Sequence, residues 1–219
     1  MVIEVQNDRI PFSKQYVALA ILALNIIVYI LQYLDPAGNM LLDGFAFTPA
    51  EFFAGKEWWT LFTSMFMHAN PLHIIMNMWF FYVVADNCEY TMGHTWFLIT
   101  YIFSGIVGTL LHGLTAFIIS PFYDIPTLGA SGAIYGLIAV YSILFPNITL
   151  QIVTRRIPYR IKARNFGIIY FLTEIMYGIA SFTVISSNTA HFAHIGGFIA
   201  GALFAVVFKI VKRKGTSQK

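Results

Sequence analysis

The chain has 219 residues, of which 58% are hydrophobic and only 11% charged, with a formal net charge of +3 and a mean hydropathy of +0.71. A soluble domain carries about 25% charged residues, so this composition excludes an ordinary soluble domain, and so small a net charge gives no basis for nucleic-acid binding. The single cysteine, Cys88, excludes an intrachain disulfide and a cysteine-based metal site. It reads as a small buried residue, since nothing near it in sequence would stabilise a thiolate.

A bilayer core needs about 20 apolar residues per helix. In chain order, six runs approach that length: Tyr16–Leu34, Leu72–Tyr90, Trp96–Ile119, Leu128–Phe145, Phe166–Ile185 and Ala190–Val211. The expected fold is an all-α polytopic membrane bundle of six transmembrane helices. It divides into an N-terminal arm (1–14), a membrane domain (15–211) and a basic tail (212–219). The first run is long for the apolar part of a signal peptide and no clear small-x-small site follows it, so it is expected to be retained as a helix. The connection from Asp35 to Pro71 holds Phe45, Phe47, Phe52, Phe53, Trp58 and Trp59. That is too apolar for a free loop, and an amphipathic element lying in the interface is expected.

Lysine and arginine set the direction. With six spans, both termini and the second and fourth connections share one side, and every one of the 13 basic residues except Lys56 falls there. Both termini are therefore expected in the cytoplasm, and the protein in the cell membrane of a prokaryote.

Polar groups inside hydrocarbon are costly and point to function. Here they are His73, Asn77, His112, Ser131, Glu174, His191 and His194. Spans two, four and six start outside. His73 and Asn77, Ser131, and His191 with His194 each fall within the first turn or two of their spans. At 1.5 Å per residue they share a depth of roughly 2–8 Å from the outer ends. Peptide hydrolysis through a serine needs a base for its proton and donors for the oxyanion. Ser131 stands in Gly129-Ala130-Ser131-Gly132 at a helix start, where small neighbours and unpaired N–H groups favour developing negative charge. His194 is the candidate base, and His73 and Asn77, four apart on one helix face, can point at one oxygen. Gly132-xxx-Gly136 and Gly197-xxx-Gly201 would let spans four and six approach closely and bring Ser131 to His194.

These residues resemble the rhomboid family of intramembrane serine proteases. The matching pieces are Trp59-x3-Thr63-x4-His68-x4-His73-x3-Asn77, Gly129-Ala130-Ser131-Gly132-x2-Tyr135, and Ala193-His194-x2-Gly197-x3-Gly201, in the family's order. The resemblance implies Ser131 as nucleophile and His194 as base in a dyad without an acid. It also implies an oxyanion site from His73, Asn77 and the Ser131 N–H, with Tyr135 stacked beside the histidine. Transmembrane proteins would be the substrates, cut near the outer face within the lipid bilayer, with no cofactor and no nucleic acid involved. Glu89-x3-Gly93 matches a structural feature of the same family, whereas Thr60 and Ala85 stand where the family usually has arginine and glycine.

Other readings sit beside this one. Ser131 alone would read as a packing serine, and His73 and Asn77 as helix caps. His68 is expected to make a structural hydrogen bond in the first connection, and His94 and His112 read as structural or interfacial. Between the two histidines of span six, His194 with its following glycines fits the base better than His191. Glu174, reckoned roughly 18 Å below the outer end of span five, is expected to lie too deep to join them, protonated or bonded to its own helix. No carboxylate has metal-site spacing to the two histidines, so no metal is expected. The alternatives for the whole chain are a rhomboid-like protein that binds client helices without cutting, and a transporter, which would show midplane polar groups in repeated halves.

Overall fold

The computed structural model describes residues 2–4, 10–35, 40–119, 123–153, 158–182 and 189–216. Arg9, Arg155, Arg156, Lys219 and the expected end of span five at Ile185 lie outside them. Among the described residues are six helices of 14 residues or more. They are α1 (Tyr16–Tyr33), α5 (Pro71–Met92), α6 (His94–Ile118), α7 (Ser131–Leu144), α8 (Ala163–Ala180) and α9 (His191–Thr216). Three helical stretches are long and apolar enough to cross a membrane, Tyr16–Tyr33, His94–Ile118 and His191–Arg213.

Their outer faces carry Ile27, Leu31, Phe117, Leu172, Met176, Leu203 and Ile210 exposed, while Asn25, Thr100, Ser104 and Glu89 are fully buried. A soluble protein avoids so large an apolar surface; in lipid, polar groups turn inward to find partners. Asn25 shows the rule, donating from Nδ2 to its own helix at the Ile21 carbonyl (2.8 Å). With this pattern and those spans, the chain is an integral membrane protein.

The connection after α1 folds into short helices, α2 (Met40–Phe45), α3 (Pro49–Phe53) and α4 (Thr60–Thr63), then a 3-10 turn (Ser64–Phe66). Trp59 Nε1 donates to the Gly44 carbonyl (2.9 Å), and Thr60 Oγ1 to the Glu57 carbonyl (2.6 Å). The Thr60 side chain, where an arginine is usual, thus closes a local turn.

At the opposite end from this connection lies an antiparallel sheet of β1 (Val2–Glu4), β2 (Thr149–Ile152) and β3 (Tyr159–Lys162), in that order, with Val2 opposite Ile152 and Leu150 opposite Ile161. Trp79 Nε1 of α5 donates to the Val2 carbonyl (2.8 Å) and ties the sheet to the bundle. Near the C-terminal end of α5, the buried Glu89 carboxylate accepts from the backbone N–H groups of Val17 (3.0 Å) and Ala18 (2.7 Å) and meets His94 Nδ1 at 2.5 Å. It caps the N-terminus of α1, satisfying donors that a helix leaves unpaired and complementing the helix dipole.

In the centre, α9 packs on α7 and α6. A methyl group on Gly197 would overlap the Gly132 carbonyl, and one on Gly201 the Gly136 carbonyl. The two small-residue faces therefore meet backbone to backbone, as such faces do in membrane bundles.

Candidate active site

Ser131 is the first residue of α7 and not one turn into a helix. The expected span began at Leu128, but Phe47 and Thr127 exchange two backbone hydrogen bonds (2.9 and 2.7 Å), and the Gly129 N–H donates to the Ser64 carbonyl (2.9 Å). These bonds hold the approach to Ser131 out of the helix. Gly129 has φ +126°, and a Cβ there would lie 2.8 Å from the His73 ring, so glycine serves both the backbone turn and the approach of the imidazole. The first-turn N–H groups of α7 are thereby left facing Ser131's surroundings.

Three further elements converge on this point. From α9, His194 places Nε2 2.7 Å from Ser131 Oγ. Tyr135, one turn into α7, stacks on the His194 ring with centroids 4.2 Å apart and planes at 6°. From the start of α5, His73 accepts the Ala69 N–H at Nδ1 (3.3 Å), which leaves the proton on Nε2 as a donor. Asn70 caps that helix, its Oδ1 accepting the His73 N–H (2.9 Å). Asn77 Nδ2 donates to the His73 carbonyl (2.9 Å), and an amide has a second N–H to offer. His73, Asn77, Ser131, Tyr135 and His194 all line one cavity of about 630 Å³. His112, read from sequence as structural or interfacial, lines it too.

Glu174 departs from expectation. Its Oε2 lies 2.6 Å from His191 Nδ1 and 3.0 Å from His194 Nδ1, and its Oε1 accepts the Tyr135 hydroxyl. The expected depth assumes a helix end at Ile185, whereas α8 ends at Ala180. Six residues separate Glu174 from that end, about 9 Å of rise, and Ser131 sits no deeper than a helix start. The 3.0 Å contact to His194 has the distance of an ion pair but not the direction of a hydrogen bond, since His194 Nδ1 has no aligned partner among the described residues. His191 takes the aligned bond. The signals in the sequence were a second histidine three residues before His194 and a lone acid in span five.

Glu174, His191 and His194 are buried and their ligand atoms lie within 4.8 Å of one another, so a carboxylate does reach the histidine pair. They could hold a metal ion by type. However, ligands of a tetrahedral zinc stand roughly 3.4 Å apart at metal bonds near 2.1 Å, and the 2.6 Å between His191 and Glu174 is a hydrogen-bond separation.

His68 holds the first connection to α1. Its hydrogen bonds are made by the main chain, with its N–H to Gln32 Oε1 (3.0 Å) and its carbonyl from Gln32 Nε2 (3.2 Å). The buried ring makes no aligned hydrogen bond among the described residues, lies near the Phe66 backbone and packs edge-on against His73 at 5.1 Å. Burial, and then the nearby His73, push this imidazole down to about 4.

A family model described as Rhomboid domain matches residues 55–210, which is most of the chain. This chain belongs to the rhomboid family. It is 27% identical over 208 aligned positions to the Bacillus subtilis (strain 168) protein named Rhomboid protease GluP, covering 94% of this chain and 36% of that protein. To Rhomboid protease AarA of Providencia stuartii it is 27% identical over 225 positions, covering 95% of this chain and 78% of that one. To the Putative rhomboid protein L523 of Acanthamoeba polyphaga mimivirus it is 32% identical over 185 positions, covering 83% and 94%. This rhomboid thus spans about a third of the length of GluP and most of AarA and L523.

Proposed function

We propose that this rhomboid is an intramembrane serine endopeptidase that cuts transmembrane segments of other proteins near the outer face, with Ser131 as nucleophile and His194 as base. In this reading the six long helices all span the membrane of a prokaryotic cell, both termini are cytoplasmic, and α2 to α4 lie in the outer interface. The observation that carries it is the 2.7 Å approach of Ser131 Oγ to His194 Nε2 at the wall of a cavity that His73 and Asn77 also line.

The chemistry follows from that arrangement. A substrate helix unwinds its end into the cavity, where extended backbone at that depth is tolerated. Oγ attacks the scissile carbonyl carbon while its proton passes to His194 Nε2. Negative charge then develops on the carbonyl oxygen, within reach of His73 Nε2–H, the second Asn77 N–H and the N–H at the start of α7. Collapse of the tetrahedral species breaks the C–N bond, and His194 returns the proton to the leaving amine. Water, deprotonated by the same imidazole, hydrolyses the acyl-enzyme. Tyr135, stacked flat on the imidazole, keeps the ring plane fixed through the cycle.

The test is cleavage of a single-span substrate by purified protein in liposomes. Wild type yields two fragments, and Ser131→Ala and His194→Ala each lose at least about 10³-fold in rate. Cleavage that persists in Ser131→Ala refutes the mechanism. Wild type that retains the substrate on co-purification yet never cuts it supports the client-binding alternative.

A further inference from the structure

We propose that Glu174 is a positioning residue for the Ser131–His194 pair: its carboxylate, oriented by His191 and Tyr135, keeps the His194 proton on Nδ1 so that Nε2 faces Ser131 as an acceptor. This rests on the reading of Ser131 and His194 as the reacting pair, and it sets beside them a carboxylate that acts by its charge, since the contact has ion-pair distance without hydrogen-bond alignment.

A neutral imidazole carries its proton on one nitrogen only. For Nε2 to take the Ser131 proton, Nδ1 must hold the other, and the atom beside Nδ1 decides between the two forms. That atom is Glu174 Oε2, at 3.0 Å. A carboxylate only accepts, so it favours the tautomer with Nδ1–H and then stabilises the imidazolium formed when Ser131 gives up its proton.

The carboxylate cannot turn away. Oε1 is engaged by the Tyr135 hydroxyl from α7, Oε2 by His191 Nδ1 at 2.6 Å from α9, and Glu174 itself comes from α8. Its side chain is only 9% exposed, as is that of His194. Tyr135 therefore acts twice, with its ring on one face of His194 and its hydroxyl on the group that faces Nδ1. His191 is in turn stacked against Tyr177, with centroids 5.7 Å apart. Three helices thus fix one carboxylate, and the contact they fix it for is with the residue that faces Ser131. A carboxylate that served packing alone would be satisfied by Tyr135 and His191, without a second imidazole at ion-pair distance.

Glu174→Gln tests the idea because it preserves shape while offering an N–H toward Nδ1, which favours the opposite tautomer. The expected result is a fall in kcat of about 10²-fold with KM within about twofold of wild type. Labelling of Ser131 by a fluorophosphonate slows in parallel, and the melting temperature shifts by only a few degrees. Glu174→Asp, which keeps the charge one methylene further away, recovers part of kcat. Should Glu174→Gln fail to fold, Glu174→Asp and His191→Asn carry the test, both folded, with lowered kcat and unchanged KM. Wild-type kcat in a folded Glu174→Gln protein overturns the proposal, and if Ser131→Ala is inactive in the same assay the protease reading survives that loss. Wild-type activity that is lost to EDTA and restored by zinc also overturns it, since the cluster would then be serving a metal.

Discussion

Two buried glutamates meet a histidine nitrogen at nearly the same distance, 2.5 Å for Glu89 with His94 and 2.6 Å for Glu174 with His191. Their further neighbours differ. Glu89 spends its remaining capacity on the first backbone N–H groups of α1, at the end of the bundle that carries the sheet. Glu174 faces a second imidazole whose far nitrogen meets a serine hydroxyl at a cavity wall. The same carboxylate–imidazole contact closes on a helix terminus in one place and borders a cavity in the other. Burial and charge alone do not separate the two; the next group along does.

That contrast can be broken by mutation. The largest stability effect is expected at Glu89→Ala, which strands the backbone donors of Val17 and Ala18 at the start of α1 and costs about 3 kcal/mol. Thermal unfolding in detergent would record it as a clear fall in melting temperature, while the protein that remains folded labels at Ser131 at the wild-type rate. A labelling rate that fell with stability would mean that the two ends are not separable.

Gly197→Ala sharpens the comparison from the middle of the bundle. The added methyl collides with the Gly132 carbonyl, one residue from Ser131, and such overpacking costs about 1–3 kcal/mol. Forcing α7 from α9 also widens the Ser131–His194 gap, so turnover is expected to fall further than stability. Equal losses at Gly201→Ala, one turn deeper, would argue against that local effect.

The smallest effect concerns His68. Its folded imidazole titrates near 4 and an unfolded one near 6.5, so the unfolded form binds more protons between those values. Stability contributed by the neutral ring is present above about pH 6.5 and is lost as pH falls toward 4. Melting temperature should drop by a few degrees from pH 7 to pH 5, and less in His68→Phe, which keeps a ring and removes the titration. An unchanged pH response in His68→Phe would assign the loss to other groups.

How much of this could be read from the sequence depends on what kind of contact was involved. The six long helices follow the apolar runs to within five residues at each end, because a long apolar run satisfies its backbone most simply within its own segment. The approach of α7 to α9 was legible in glycines four apart, since a missing side chain marks where another backbone passes. Contacts that depend on where a helix ends were not legible. Ser131 begins α7 because Phe47, more than 80 residues earlier, holds Thr127 extended, and nothing local to Leu128–Ala130 announces it. The reach of Glu174 likewise depends on α8 ending at Ala180, five residues before the apolar run does. The sheet escaped notice because β2 and β3 have only four residues each and β1 three, too few for an alternation to stand out, and β1 comes from the far end of the chain.

The most direct measurement is to treat purified wild-type protein in liposomes with a fluorophosphonate and locate the adduct by peptide mapping. One modified side chain is expected, Ser131, and no adduct in His194→Ala. A wild-type protein that stays unlabelled, or a Ser131 adduct that forms equally fast without the His194 imidazole, would contradict the proposed pair.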